Sequence, residues 1–326
     1  MAFDSATLTD ALDARVERRE GRREFFRAAL GGAAAVAAGI AAAGTATPAA
    51  AQSAPASEFD VLNFALNLEY LEAQFYSYAV NGTGLPANLL TGATAPGTVT
   101  PGRAVGFTDR VVAQYAREIA ADELAHVQYL RTTIGTSAVA MPSIDIGTAA
   151  TGAFSRAAQA AGLVAAGQPF DPYASDESFL LGAFLFEDVG VTAYKGSSPL
   201  LSTPAYIDAA AGILAAEAFH AGLIRNTLYQ KGIRTSADAI SNARDTLDGA
   251  QDLDQGISNQ TRTDTATPPV TTENANIAPT DLNGIAFSRS AGQVLGIVYL
   301  NATAGTTAGG FFPAGVNGTI KASAAL

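Results

Sequence analysis

Only two histidines occur in the 326 residues, and each stands three positions after a glutamate, as Glu123-x-x-His126 and Glu217-x-x-His220. On an α-helix, positions i and i+3 share a face, so each pair presents a carboxylate and an imidazole together. Beyond residue 51 there are nine glutamates in 275 residues (326 minus 51), so a given histidine finds one at minus three with odds of about 3%. Both histidines doing so by chance is on the order of one in a thousand. Carboxylate and imidazole on one helical face are the donors of a metal site.

Two more glutamates carry a matching signature. Tyr76 follows Glu69 by seven residues, and Tyr194 follows Glu187 by seven. Seven residues are about two turns, or ~10 Å, so each tyrosine shares a face with its glutamate. The chain thus states one pattern twice: Glu with Tyr at plus seven, then Glu-x-x-His. A lone glutamate from each of two helices with Glu-x-x-His from two others is the ligand set of di-iron and di-manganese carboxylate bundles. The expected ligands are Glu69, Glu123, His126, Glu187, Glu217 and His220. By analogy with such bundles, Glu123 and Glu217 bridge two ions, while Glu69 with His126 and Glu187 with His220 complete one ion each. Hard carboxylates with imidazole suit iron first and manganese next, and zinc also fits by ligand type. Buried together without a cation, four carboxylates would be prohibitive.

Several neighbours have two readings each. Tyr76 and Tyr194 are either core aromatics or groups that hydrogen-bond the site or relay electrons. Glu72 lies on nearly the same face as Glu69 and is an alternative ligand to it, although the tyrosine spacing favours Glu69. Asp122 and Asp188 adjoin ligands, and either orient a histidine from behind or face solvent.

Positioning such donors takes four long helices, and four are legible. The first runs from Ser57 to Val80, opened by Ser57 with Asp60 three residues on and closed at Asn81-Gly82. The second runs from Thr108 to Thr133 and stops at Gly135. The third opens at Ser175, with Asp176 and Glu177 in its first turn, and reaches Lys195; the fourth runs from Pro204 to Lys231, before Gly232. Between the second and third lies a long connection, 135–174, broken by Pro142, Pro169 and Pro172, with room for one short helix near 149–163. Two hairpin-like pairs joined by one long crossover are the connectivity of a ferritin-like four-helix bundle. The fold class expected is therefore all-α, with a bundle over 52–235. Residues 236–326 form a C-terminal appendage packed on it, containing a helix near 236–248 and an apolar stretch at 287–300.

The first 51 residues form a separate unit. Arg22-Arg23-Glu24-Phe25-Phe26-Arg27 precedes a mild apolar run, Ala28 to Ala43, and then Ala49-Ala50-Ala51-Gln52. Basic region, apolar segment and small-residue site in that order define an export signal, and the paired arginines match the twin-arginine subtype. At ~16 residues, the apolar run is short of the ~20 needed to span a bilayer. Cleavage and a periplasmic or secreted protein without stable membrane insertion are therefore expected. The chain has 30 acids against 19 bases, a net charge of −11, and residues 1–51 contribute six of each. The remaining 24 acids and 13 bases (30 − 6 and 19 − 6) repel nucleic acid and anionic membranes, and suit cationic substrates. Without a single cysteine, disulfides, thiolate metal sites and iron–sulfur clusters are excluded.

The stretches Asn63-Phe64-Ala65-Leu66-Asn67-Leu68-Glu69-Tyr70-Leu71-Glu72-Ala73, Asp122-Glu123-Leu124-Ala125-His126, Phe170-Asp171-Pro172 and Phe186-Glu187-Asp188-Val189-Gly190-Val191 resemble the bacterial ferritin-like domain family that includes desiccation-related proteins. The resemblance spans 57–235, and more faintly the tail. It implies the bundle and the paired-metal site, but no particular substrate. Within the wider superfamily the options are oxidation of Fe(II) by peroxide or oxygen, peroxide removal of peroxidase or manganese-catalase type, and iron storage by homo-oligomeric assembly. A non-enzymatic desiccation or envelope-protective protein with structural metals is the rival. Peroxide or oxygen chemistry in stress protection is the leading expectation.

Overall fold

The structure is a computed structural model that describes residues 56–258, 260–263 and 271–324. The expected export signal lies outside these residues. Four long helices dominate: α1 (Glu58–Asn81), α2 (Arg110–Ile134), α4 (Asp176–Ser197) and α5 (Pro204–Gln230). A short α3 (Ala153–Ala160) lies in the crossover. Helix α1 packs along α2 and α4 along α5, while α1 meets α4 and α2 meets α5, which closes the bundle.

Local chemistry sets the ends of these helices. Ser57 and Asp60 form a reciprocal capping box at the start of α1, and Gly82, in the left-handed conformation, ends it. Asp109 caps α2 by accepting from the amides of Val111 and Val112. Ser175 caps α4, with Asp176 and Glu177 in the first turn and Lys195 in the last complementing the helix dipole. Pro204 opens α5 where its missing N–H costs nothing.

The two pairs differ in how they are buried. Helices α1 and α4 are buried almost all round, and both are largely apolar, with Asn63, Asn67, Gln74 and Thr192 among their buried polar side chains beside the acids. Helices α2 and α5 bury one stripe each and face solvent on the other, with Phe219 of α5 76% exposed. By length and composition α5 could cross a membrane, yet Glu217 and His220 lie on it and it packs along α4.

What covers α1 and α4 is the crossover and the tail. In the crossover, β1 (Val99–Thr100) pairs in parallel with β2 (Ile144–Asp145), a two-residue ladder too short to show in hydrophobic periodicity. Phe75 packs against Phe154, Tyr173, Phe179 and Phe186 at ring-centroid distances of 5.4–5.7 Å, and Phe311 of the tail joins them 4.9 Å from Phe186. The tail supplies α6 (Arg234–Asp248), an antiparallel hairpin β3 (Gln260–Thr263) and β4 (Thr271–Asn274), and α7 (Ala291–Val298). That hairpin falls in the polar 255–280 stretch, which carries no apolar alternation to announce it.

Tail and bundle are joined by a buried ionic ladder. Asp188 of α4 accepts from Arg225 of α5 at 2.7 Å and Arg244 of α6 at 2.9 Å. Arg244 continues to Asp254 at 2.7 Å, and Arg289 bridges Asp254 and Asp248 at 2.9 and 2.6 Å. Three arginines against three aspartates leave no net charge, which is what burial requires. Asn67 of α1 and Asn317 add a reciprocal pair: the Asn67 side chain donates to the Asn317 carbonyl at 2.8 Å and accepts from its amide at 2.8 Å.

Candidate metal centre

The six residues singled out by spacing come from four separate helices and meet at one buried point. Glu69, Glu123, Glu187 and Glu217 have no solvent exposure. Around His126, its Nδ1 lies 3.2 Å from Glu69, 3.6 Å from Glu123 and 4.0 Å from Glu217. Around His220, its Nδ1 lies 3.2 Å from Glu123 and 3.4 Å from Glu187. The two imidazole centroids are 6.3 Å apart.

Two donor groups result, each with its atoms within 4.8 Å of one another: Glu69, Glu123, His126 and Glu217, and Glu123, Glu187 and His220. Donors on opposite sides of one ion, with bonds of about 2.1 Å, would stand about 4.2 Å apart, so each group has the size of one coordination sphere. Glu123 belongs to both groups, while Glu217 belongs to the first alone.

Among the described residues, eight donor atoms of these six side chains are buried without a hydrogen bond. They are one oxygen each of Glu69 and Glu187, both oxygens of Glu123 and of Glu217, and the two Nδ1 atoms. Buried polar atoms are nearly always partnered, so eight orphans converging on one point call for a cation. Four carboxylates also balance the charge of two divalent ions. The donor set fits a metal pair.

The tyrosines act across the bundle. Tyr76 donates to Oε1 of Glu187, and Tyr194 donates to Oε1 of Glu69, so each half of the repeat holds the glutamate of the other. Each glutamate keeps Oε2 free and aimed inward. Burial, reinforced by the nearby carboxylates, pushes both phenols well above their ordinary range, which keeps them as donors.

The clustered carboxylates raise the proton affinity of both imidazoles. Burial alone would lower both imidazoles, but Glu123 and Glu69 lift His126 to about 10, and Glu187 and Glu123 lift His220 to about 12. Burial works to raise Glu123, yet the two histidines beside it hold it at about 2. Burial and the Glu123 charge raise Glu69 to about 7, and burial with the surrounding carboxylates raises Glu217 well above its usual range.

Residues 57–230 match the family model of the ferritin-like domain, more than half of the chain. The chain belongs to the ferritin-like domain family. Within it, the chain is 30% identical over 263 residues to desiccation-related protein PCC13-62 of Craterostigma plantagineum, covering 74% of this chain and 77% of that protein. It is also 25% identical over 285 residues to ferritin-like catalase Nec2 of Nesocodon mauritianus, covering 81% and 85%.

The neighbours of this ferritin-like centre divide. Asp122 lies 3.1 Å from Nε2 of His220, which fixes the ring and leaves Nδ1 facing inward, while its side chain stays 46% exposed. Asp188 does not orient a histidine. One residue beyond inward-facing Glu187 it is turned about 100° around the helix axis, toward the tail, where Arg225 and Arg244 hold it. Glu72 does not take the place of Glu69, whose carboxylate stands within the first donor group.

In the sequence, Gly190 has a place in the Phe186–Val191 stretch but no role of its own. A Cβ there would lie 2.2 Å from Oε2 of Glu217, so only glycine leaves room for that carboxylate. One signal could have found it. Glu69 and Glu187 are equivalent in the repeat, and at plus three the first half has Glu72 where the second has Gly190.

Proposed function

We propose that this ferritin-like protein is a di-metal carboxylate enzyme of catalase type, holding two iron or manganese ions and removing hydrogen peroxide. The observation that carries the reading is the convergence of eight orphaned buried donor atoms on one point, from four glutamates and two histidines. A curated relative over most of both chains bears the name ferritin-like catalase. Disproportionation of peroxide to water and oxygen also needs no external reductant.

When bound, the ion pair supplies a two-electron change, accepting a pair from one peroxide and returning it to another. The chain's own residues do the rest. Glu123, shared by both donor groups, would be a ligand common to the two ions. Glu69 with His126, and Glu187 with His220, would supply the remaining donors of each. Tyr194 and Tyr76 fix the terminal glutamates through one oxygen each, which keeps those ligands in place without a covalent constraint. Asp122 sets the His220 ring. The apolar walls from α1 and α4 keep bulk water out, and the His126 side chain, 12% exposed, marks the thinnest cover over the centre.

The test is elemental analysis of the purified chain followed by oxygen evolution from peroxide on a Clark electrode. Two ions per chain and oxygen release at half the rate of peroxide loss support the reading; a two-metal protein inert to peroxide overturns it. That second outcome would favour structural metals, a reading supported by the desiccation-related relative. Oxidation of Fe(II) by peroxide or oxygen is the neighbouring activity, read by the same preparation loaded with Fe(II). We further propose export through the twin-arginine-type signal of residues 1–51, tested by the N-terminal sequence of protein recovered outside the cytoplasm.

A further inference from the structure

The internal repeat is broken at one position inside the centre. Glu69 and Glu187 correspond, as do Tyr76 and Tyr194, but three residues after each glutamate stand Glu72 and Gly190. Glu72 is 5% exposed, and among the described residues no donor holds its carboxylate. It faces the space that Gly190 vacates, where its Oε1 lies 3.5 Å from the position a Cβ would take. Beside it opens a cavity of ≈ 20 Å³, lined by Leu68, Leu71, Val189, Gly190 and Ile297. That is room for about one water molecule or for a carboxylate to turn.

A fifth buried carboxylate without a partner needs a reason, since four already balance two divalent ions. Its surroundings are apolar apart from the centre itself. Gly190, which it faces, lies one helical turn beyond Glu187, so Glu72 looks toward the helix that carries the second donor group. The donor group of Glu123, Glu187 and His220 has three members where the other has four, so it is the one with room for a further carboxylate.

We propose that Glu72 is a seventh protein ligand, which turns out of the cavity beside Gly190 to engage the ion that Glu187 and His220 would hold. The two metal positions are then inequivalent. One is ligated by Glu69, His126, Glu123 and Glu217; the other gains a reserve carboxylate able to compensate a higher cation charge. This inference rests on the di-metal reading and deepens it.

Calorimetric titration of the full metal-free chain with Co(II), followed by the ion's electronic absorption, tests it. Two ions are expected to bind the wild-type chain with distinguishable affinities. Glu72→Gln, of the same shape without the charge, should still take two ions but weaken one of them about 10–100-fold and alter its absorption, the other staying unchanged. Glu72→Asp, which keeps the charge on a shorter arm, should fall between the two and serves if the amide impairs folding. Superimposable isotherms and spectra for wild type and Glu72→Gln overturn the role of Glu72 alone. A wild-type chain that fails to bind a pair of ions overturns the centre as a whole.

Discussion

Gly190→Ala separates the fold from the metal centre, because the same methyl group should act on them with opposite signs. Gly190 lies in the interior of α4 with an ordinary helical backbone, so alanine is accepted there and contributes up to about 1 kcal/mol through helix propensity. The new Cβ, however, lands 2.2 Å from Oε2 of Glu217, where ordinary contact begins near 3.4 Å. Being the far end of a flexible side chain, that carboxylate can retreat by about 1 Å. Metal–ligand distances tolerate only about 0.2 Å, so the retreat removes Glu217 from the coordination sphere.

Loss of a partner merely behind a ligand costs about 10–100-fold in metal affinity, and displacing a ligand should cost at least that, or about 1.4–2.8 kcal/mol. Two measurements check the reasoning: melting of the protein in chelator and in Mn(II), and calorimetric titration with Mn(II). In chelator, the variant should melt at or slightly above wild type; in Mn(II), its stabilisation should shrink. Gly212→Ala in α5 is the control, since nothing lies within 4 Å of the added methyl. It should gain propensity and bind metal as before. If Gly190→Ala takes up two ions with wild-type affinities, Glu217 is not a ligand and the packing argument fails.

The other perturbations divide between centre and scaffold. Asp122→Ala removes the group behind His220 and should weaken one ion about 10–100-fold while sparing the other, as read by titration. Equal weakening of both would show that Asp122 acts on the whole site. Tyr76→Phe and Tyr194→Phe each leave a buried carboxylate oxygen without its donor, so each should cost about 1–3 kcal/mol in denaturant unfolding; no cost in either would place both phenols outside the site's support. The imidazoles of the metal-free chain lie at about 10 and about 12, against an ordinary 6.5. Raised in the fold, they contribute stability that is complete below pH 6.5 and lost as pH climbs through 10 to 12. Metal binding at pH 7 must therefore displace at least two protons, which calorimetry in buffers of different ionisation heat will count; a count of zero contradicts the ion pairs. Arg289→Ala strands Asp248 and leaves Asp254 with Arg244 alone, and should cost about 3–5 kcal/mol, measured in denaturant; a near-neutral effect would mean that the ladder does not hold the tail.

What was legible in the sequence was whatever repeats along a helix. Caps at Ser57 and Ser175, stops at Gly82, Gly135 and Gly232, and the apolar runs between them lie within a few residues of the helices found. Two histidines in so long a chain made Glu-x-x-His conspicuous, and the Glu-to-Tyr interval drew Glu69 and Glu187 to the same face. Contacts between helices were not legible. Spacing put Tyr76 beside Glu69, yet it serves Glu187, because two turns along α1 carry it past its own glutamate to the next helix. Asp188 could be read as an outer partner of the centre or as solvent-facing, but the turn of the helix sends it to the arginine ladder. Nothing local announced that Arg244 and Arg289, distant in sequence, would meet it or each other's aspartates.

The repeat and its breaks have different consequences. Repetition of Glu, Tyr and Glu-x-x-His supplies two spheres of nearly equal composition, and a strictly symmetric pair would hold two ions alike. Three departures prevent that. Asp122 backs His220, whereas the position corresponding to it before Glu217 is Ala216. Glu72 stands opposite Gly190, and Glu217 leans through the gap that glycine leaves into the first donor group alone. The tail then covers this side, with Ile297 and Val298 of α7 bordering the cavity next to Glu72. The Asp122 contact falls on the His220 side and the Glu217 contact on the His126 side, so the chain differentiates the two positions by what surrounds each while drawing both from one repeated pattern.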